Sequence, residues 1–116
     1  TRYVGRIEAI SVETGKTLWK HEQRAGVTAL LTTGGGLVFG GDAAGVFRAL
    51  DQNTGEVLWE VDLGSAVTGH PVTYAVDGKQ YVAVSTGVSV VTGLVSRLTP
   101  ELSTGVDNTL FVFALP

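Results

Sequence analysis

Short apolar runs alternate with glycine- and aspartate-rich breaks along the chain. Val46-Phe47-Arg48-Ala49-Leu50 and Val57-Leu58-Trp59-Glu60-Val61 are representative: each is short, rich in β-branched or aromatic side chains, and bounded by turn residues. Runs this short predict strands, because a helix needs a longer stretch with apolar residues on one face. The same reading predicts strands over residues 27–32, 37–40, 67–76, 80–85 and 109–115. Gly34-Gly35-Gly36 and Gly40-Gly41 mark turns, and Asp77-Gly78 predicts a tight hairpin. Residues 86–108 read as a long, irregular, turn-rich stretch. Inside it, residues 88–98 are apolar, which suits a short helix or an irregular cap walling a cavity.

The pattern repeats. Gly5 to Trp19 matches Gly45 to Trp59 position by position, without a gap. The shared order is Gly, three residues, Ala, an apolar residue, Asp or Ser, two residues, Thr-Gly, two residues, Leu-Trp. Each copy reads as a strand, a turn and a return strand. Asp51 can accept hydrogen bonds from backbone N–H groups two or three residues on. Gly55 supplies positive φ where the chain reverses. A tryptophan on the return strand can lie flat on the neighbouring sheet and staple the two together. As a buried staple, Trp59 carries an expected cost of about 3–5 kcal/mol on truncation to alanine.

A repeat period of about 40 residues with strand content is that of one four-stranded propeller blade. The expected fold is therefore all-β, built of antiparallel four-stranded blades and comprising about two blades of a propeller. Residues 1–23 are expected to supply the last two strands of one blade. Residues 24–63 supply a complete blade. Residues 64–116 supply three strands of a closing blade whose outer strand is missing, a strand that a closed ring takes from its own N-terminus. Bare sheet edges invite aggregation, and repeat folds need about three units to bury a core. The expectation is a piece of a longer polypeptide, or one part of an assembly whose other chains supply the remainder of the propeller.

Composition narrows the function classes. The net charge is −3, and the Lys and Arg residues are scattered, so nucleic acid is a poor partner. No apolar run is long enough for a transmembrane segment. Cysteine is absent from the sequence, which excludes a disulfide, a thiolate nucleophile and a Cys-ligated metal.

The repeat resembles the tryptophan-docking motif of the quinoprotein dehydrogenases, whose eight-bladed propeller binds pyrroloquinoline quinone (PQQ). Non-catalytic propellers, including outer-membrane assembly lipoproteins, share that motif. The order from Leu37-Val38-Phe39-Gly40-Gly41-Asp42, through Gly64-Ser65-Ala66-Val67-Thr68-Gly69-His70-Pro71 and Asp77-Gly78-Lys79-Gln80-Tyr81, to Leu110-Phe111-Val112-Phe113-Ala114-Leu115-Pro116 is more specific. It resembles the C-terminal part of the methanol/ethanol branch of PQQ-dependent alcohol dehydrogenases. The resemblance implies alcohol oxidation in the periplasm. It implies PQQ polarised by Ca2+ or a lanthanide, an Asp base, hydride transfer to the quinone, and cytochrome c as electron acceptor. The metal ligands and the base of that family lie upstream of the part represented here, so this chain is expected to hold no catalytic or metal-ligating residue and to be inactive alone. Members often carry a Gly-Gly-Trp step that touches the quinone. Ser89, Val90 and Val91 occupy those places here, and they are the candidate cofactor-binding residues. Either their backbone makes the contact or the pocket wall differs.

Other constellations have plainer readings. His21 sits among charged residues and is expected to be solvated. His70 is expected on a strand near the propeller centre as a hydrogen-bonded structural residue, with the cofactor channel as the alternative. Asp42, Asp51, Asp62, Asp77 and Asp107 read as turn residues. The glycine clusters lack the Lys-Ser/Thr of a phosphate loop, and no serine stands in a nucleophile elbow. Two functions remain: a segment of a PQQ-dependent alcohol dehydrogenase, or a non-catalytic propeller that binds proteins.

Overall fold

The computed structural model describes residues 3–26, 29–102, 105 and 107–116. Nine strands and one helix follow in order: β1 Gly5–Ile10, β2 Thr17–Gln23, β3 Leu30–Thr32, β4 Leu37–Gly41, β5 Val46–Asp51, β6 Val57–Asp62, β7 Val72–Val76, β8 Lys79–Ser85, α1 Val90–Leu98 and β9 Leu110–Ala114. They form three antiparallel sheets: a first sheet β1-β2, a central sheet β3-β4-β5-β6 and a third sheet β7-β8-β9. Every neighbour in a sheet is also a neighbour among the strands in sequence, so each sheet is a meander. This is the partial propeller expected from the repeat.

The backbone bonds that close the repeated turn recur in both copies. Asp51 N donates to Glu56 O and Gly55 N to Asp51 O, while Ser11 N donates to Lys16 O and Gly15 N to Ser11 O. Asp51 Oδ1 accepts from the N–H groups of Asn53 and Thr54 at 2.7 and 3.0 Å. Both copies shift register one residue before the turn, between Ala9 and Ile10 and between Ala49 and Leu50. Each tryptophan lies opposite the motif alanine, Trp19 against Ala9 and Trp59 against Ala49. The small partner leaves room for an indole to lie over it.

Alternation along the central sheet sends side chains to both neighbours. Val38 and Leu50 pack with Ile7, Trp19 and Val57 between the first and central sheets. Phe39, Phe47 and Ala49 pack with Val67, Val82 and Val84 between the central and third sheets. A sheet buried on both faces explains why β4 and β5 read as nearly continuous apolar runs.

One difference from the sequence expectation has a physical reason. The strand expected over residues 67–76 is β7 only from Val72; Val67 makes an isolated bridge to Thr86. Pro71 has no N–H for a ladder and separates the two pieces. The strand expected over residues 27–32 is β3 in its described part, with Val27 and Thr28 outside the described residues. Asp77 has φ 51° and Gly78 φ 77°, the geometry that the expected hairpin requires.

Candidate functional site

The N-terminus of α1 overhangs a small cavity. Beside it the segment around Val67 pairs with the chain that leaves β8. Thr68 N donates to Ser85 O at 3.2 Å, and Gly87 N to Ala66 O at 2.9 Å. The chain then enters α1 through Ser89, which is extended. Ser89 Oγ accepts from Thr92 N at 3.1 Å, and Thr92 Oγ1 accepts from Ser89 N at 2.8 Å. This reciprocal capping box starts a helix whose first residues, Val90, Val91 and Gly93, are weak helix formers. The helix stops at Leu98, just before Thr99-Pro100, where the residue preceding proline is pushed out of helical geometry.

The cavity has a volume of about 330 Å3 and is lined by Ala29, Val67, Thr68, His70, Ser89, Val91 and Thr92. Two of the three candidate cofactor residues, Ser89 and Val91, therefore share it with His70. Val90 does not: it is 91% exposed and borders a separate shallow groove with Gly93, Leu94 and Arg97. His70 lies outside any strand, is exposed, and makes no hydrogen bond with another described residue. The strand expected to hold His70 begins only after Pro71, at Val72. The lining sequence reasoning missed is Ala29, Val67, Thr68 and Thr92. The Ser89-x-x-Thr92 spacing was the available signal for Thr92, as a variant of the capping box.

The lining offers hydroxyls and an imidazole on an otherwise apolar surface. It suits one wall of a site for a flat, oxygen-bearing ring: polar groups can meet ring oxygens, and the valines and alanine can meet a ring face. It lacks a carboxylate, so an Asp base is not among its lining residues. Nor do the described residues contain a cluster of three His, Asp or Glu that could hold a metal ion.

The aspartates serve turns, and one serves more. Asp42 is only 3% exposed. Its Oδ1 accepts from Val46 N at 3.1 Å, and its Oδ2 accepts from Arg48 Nη1 at 2.7 Å. Arg48 Nε also donates to Glu60 Oε2 at 3.1 Å. The group is a satisfied ion-pair network between the first and central sheets, not a reactive carboxylate. His21 belongs to its surroundings and is half-buried on β2, which corrects the solvated reading. Burial and the Arg48 charge hold its pKa below the ordinary 6.5, against the smaller raising effects of Glu60 and Asp42. Asp62 caps its turn through Gly64 N at 2.8 Å, and Asp107 N donates to Ser65 Oγ at 3.1 Å.

Antiparallel meander sheets packed face to face, with a repeated Trp-bearing turn, define a partial β-propeller. The chain belongs to the family of the PQQ glucose/ethanol/alcohol dehydrogenase β-propeller domain, whose model matches residues 2–82. It is 36% identical over 119 aligned residues to a quinoprotein ethanol dehydrogenase of Pseudomonas putida, covering 98% of this chain and 19% of that protein. It is 41% identical over 85 residues to subunit 1 of the methanol dehydrogenase [cytochrome c] of Paracoccus denitrificans, covering 72% of this chain and 14% of that one. A europium-containing methanol dehydrogenase superposes with a TM-score of 0.85 at 32% identity, over 99% of this chain and 24% of its own. The chain thus spans about a fifth of the length of the curated relatives it matches.

Proposed function

We propose that this chain is the C-terminal segment of a periplasmic quinoprotein that oxidises alcohols by hydride transfer to PQQ. In this reading residues 1–23 end one blade, residues 24–63 form the next, and residues 64–116 supply three strands of the closing blade. The observation that carries the reading is the cavity under α1, which brings Ser89 and Val91 together with His70 in a chain of this family. PQQ, when bound, supplies the acceptor for the substrate's hydride. This chain's part is to wall the cofactor: Ser89 and Thr92 fix the end of α1, Val91 presents apolar surface, and Thr68 and His70 offer polar contacts. Val90 serves, if at all, through its backbone. The base, and the ligands for Ca2+ or a lanthanide, come from elsewhere in the parent. So do the surfaces that meet cytochrome c. The segment alone has no turnover.

The test uses the full-length polypeptide that carries this chain. Dye-linked oxidation of simple alcohols should require added PQQ together with Ca2+ or a lanthanide. Val91→Asp should weaken PQQ binding by about tenfold or more by placing an unpaired charge in the wall, and Val90→Asp should change it little. An absence of PQQ binding, with a protein partner recovered instead, would establish the non-catalytic reading. Equal effects of the two valine variants would remove the cavity from the cofactor site.

A further inference from the structure

The helix that overhangs the cavity is held to the body by very little apolar contact. Within α1 only Thr92 and Val95 are buried. Val95 packs on Ala25 and Ala43, with Val4, Ala44 and Leu102 at the margin. Val90, Val91, Leu94 and Leu98 all lie exposed. A helix of nine residues with so narrow a footing is marginal unless something else pins it.

The pin is polar and comes from the far end of the chain. Arg24 follows β2, where the first sheet hands the chain over to the central one. Its Nη2 donates to Leu98 O at 3.2 Å, and its Nε donates to Glu101 Oε1 at 2.6 Å. Leu98 is the last residue of α1, so its carbonyl belongs to the negative end of the helix dipole, where a cation is favoured. Arg24 thereby joins the first sheet to a segment near the opposite end of the sequence. The other end of the same helix, about 13 Å away at 1.5 Å per residue, carries Ser89 and Val91 into the cavity. A short capped helix transmits an orientation from one end to the other.

We infer that Arg24 is a positioning residue for the cavity: by tying the end of α1 and Glu101 to the first sheet, it fixes the helix on which Ser89, Val91 and Thr92 ride. The inference rests on the reading of that cavity as a cofactor wall. A bare surface ion pair does not explain the geometry. Glu101 is exposed, but the bond to Leu98 O reaches the helix itself. Glutamine at position 24 loses the charge and the forked reach, whereas lysine keeps the charge and can still meet one acceptor.

The experiment measures amide hydrogen exchange on the full-length polypeptide for the wild type, Arg24→Gln, Arg24→Lys and Glu101→Gln, and then PQQ affinity for the same four. Arg24→Gln should speed exchange in residues 90–98 by about tenfold or more, with residues 46–62 unchanged. Glu101→Gln should do less, because the carbonyl tie remains, and Arg24→Lys should recover part of the protection. PQQ affinity should follow the same order. Protection of residues 90–98 that is unaltered in Arg24→Gln overturns the inference. So does a uniform loss over both segments, which would mean a general loss of stability. Faster exchange in α1 with unchanged PQQ affinity shows the tie but overturns its role in the cavity. A wild type that binds no PQQ sinks the functional reading and this role with it, while the exchange result still reports the tie by itself.

Discussion

The two seams between the sheets start from the same motif and end in different chemistry. Between the first and central sheets the seam is shut. Trp19 lies over Gly55 of the next repeat's turn, where an added Cβ would fall 2.5 Å from Trp19 Cε3. Its Nε1 donates to Gln52 O at 2.9 Å. The remainder of that seam is a small apolar cluster around Ile7 beside the Arg48 ion pairs. Between the central and third sheets the seam is apolar throughout. Phe47 stacks near Phe39 and Phe113 at 5.9 and 6.2 Å, and Trp59 meets Phe113 edge-on at 5.2 Å. An apolar cavity of about 380 Å3 beside the seam is lined in part by Trp59, Phe113, Leu115 and Pro116. Trp59 is 39% exposed and meets Phe47 and Phe113 edge-on, so it packs across this seam as a partly exposed staple. The motif dictates its own turn and strand pair. What its tryptophan contributes depends on what the next sheet places over it.

Gly15 and Gly55 give the sharpest way to break this comparison. They are equivalent turn residues with φ of 71° and 74°. Nothing lies within 4 Å of a Cβ built on Gly15, whereas Gly55 faces the Trp19 ring. Gly15→Ala should cost about 1–2 kcal/mol, the penalty for a left-handed L-residue. Gly55→Ala carries that penalty and should lose a further 1–3 kcal/mol, approximately, from overpacking against the indole. Urea denaturation of both variants measures the difference. Equal costs would mean that Trp19 is not docked on the turn.

Replacing each tryptophan by phenylalanine sharpens the same point with a smaller effect. Trp19→Phe keeps an aromatic ring but leaves Gln52 O without its donor, at an expected cost of about 1–2 kcal/mol. Trp59→Phe gives up no hydrogen bond among the described residues and should cost less than about 1 kcal/mol, since Phe113 can still meet a ring edge. A larger loss at Trp59 would reverse the ranking of the two seams.

Much of this arrangement was legible in the sequence. The ungapped repeat, Asp51 and Gly55 are enough to derive the turns, because an Asx side chain and a positive-φ glycine act on their immediate neighbours. The strands of the central sheet were legible for a related reason: a sheet covered on both faces writes continuous apolar runs. α1 was legible as one of two readings, since the apolar run over residues 88–98 suited a short helix or an irregular cap, and the Ser89–Thr92 box decides for the helix. The cavity was half legible. Ser89 and Val91 stand out in sequence, but their meeting with His70 and Thr68 depends on how residues 66–70 pair with residues 85–87. The Arg24 tie was invisible, because no local pattern announces a contact between such distant parts of the sequence.

The smallest expected effect separates the seams by their titration. His21 and Val61 are equivalent positions of the two repeats, each two residues beyond its tryptophan. Val61 sits among the aromatic rings of the apolar seam. His21 instead stands near Arg48, Glu60 and Asp42, and its pKa is lowered by burial first and by Arg48 second. The folded state therefore binds fewer protons at this site than the unfolded chain does. Its contribution is complete above the ordinary value of 6.5 and is lost as the pH falls from there through the lowered folded value. Carboxylates titrate mainly below that window, so a drop in melting temperature between about pH 7.5 and about pH 5.5 reports histidine in the main. His21→Val, which copies the second seam into the first, should flatten that slope. A slope unchanged by His21→Val would mean that protonating His21 does not strain the polar seam, and that Arg48 is already neutralised by Asp42 and Glu60 at that distance.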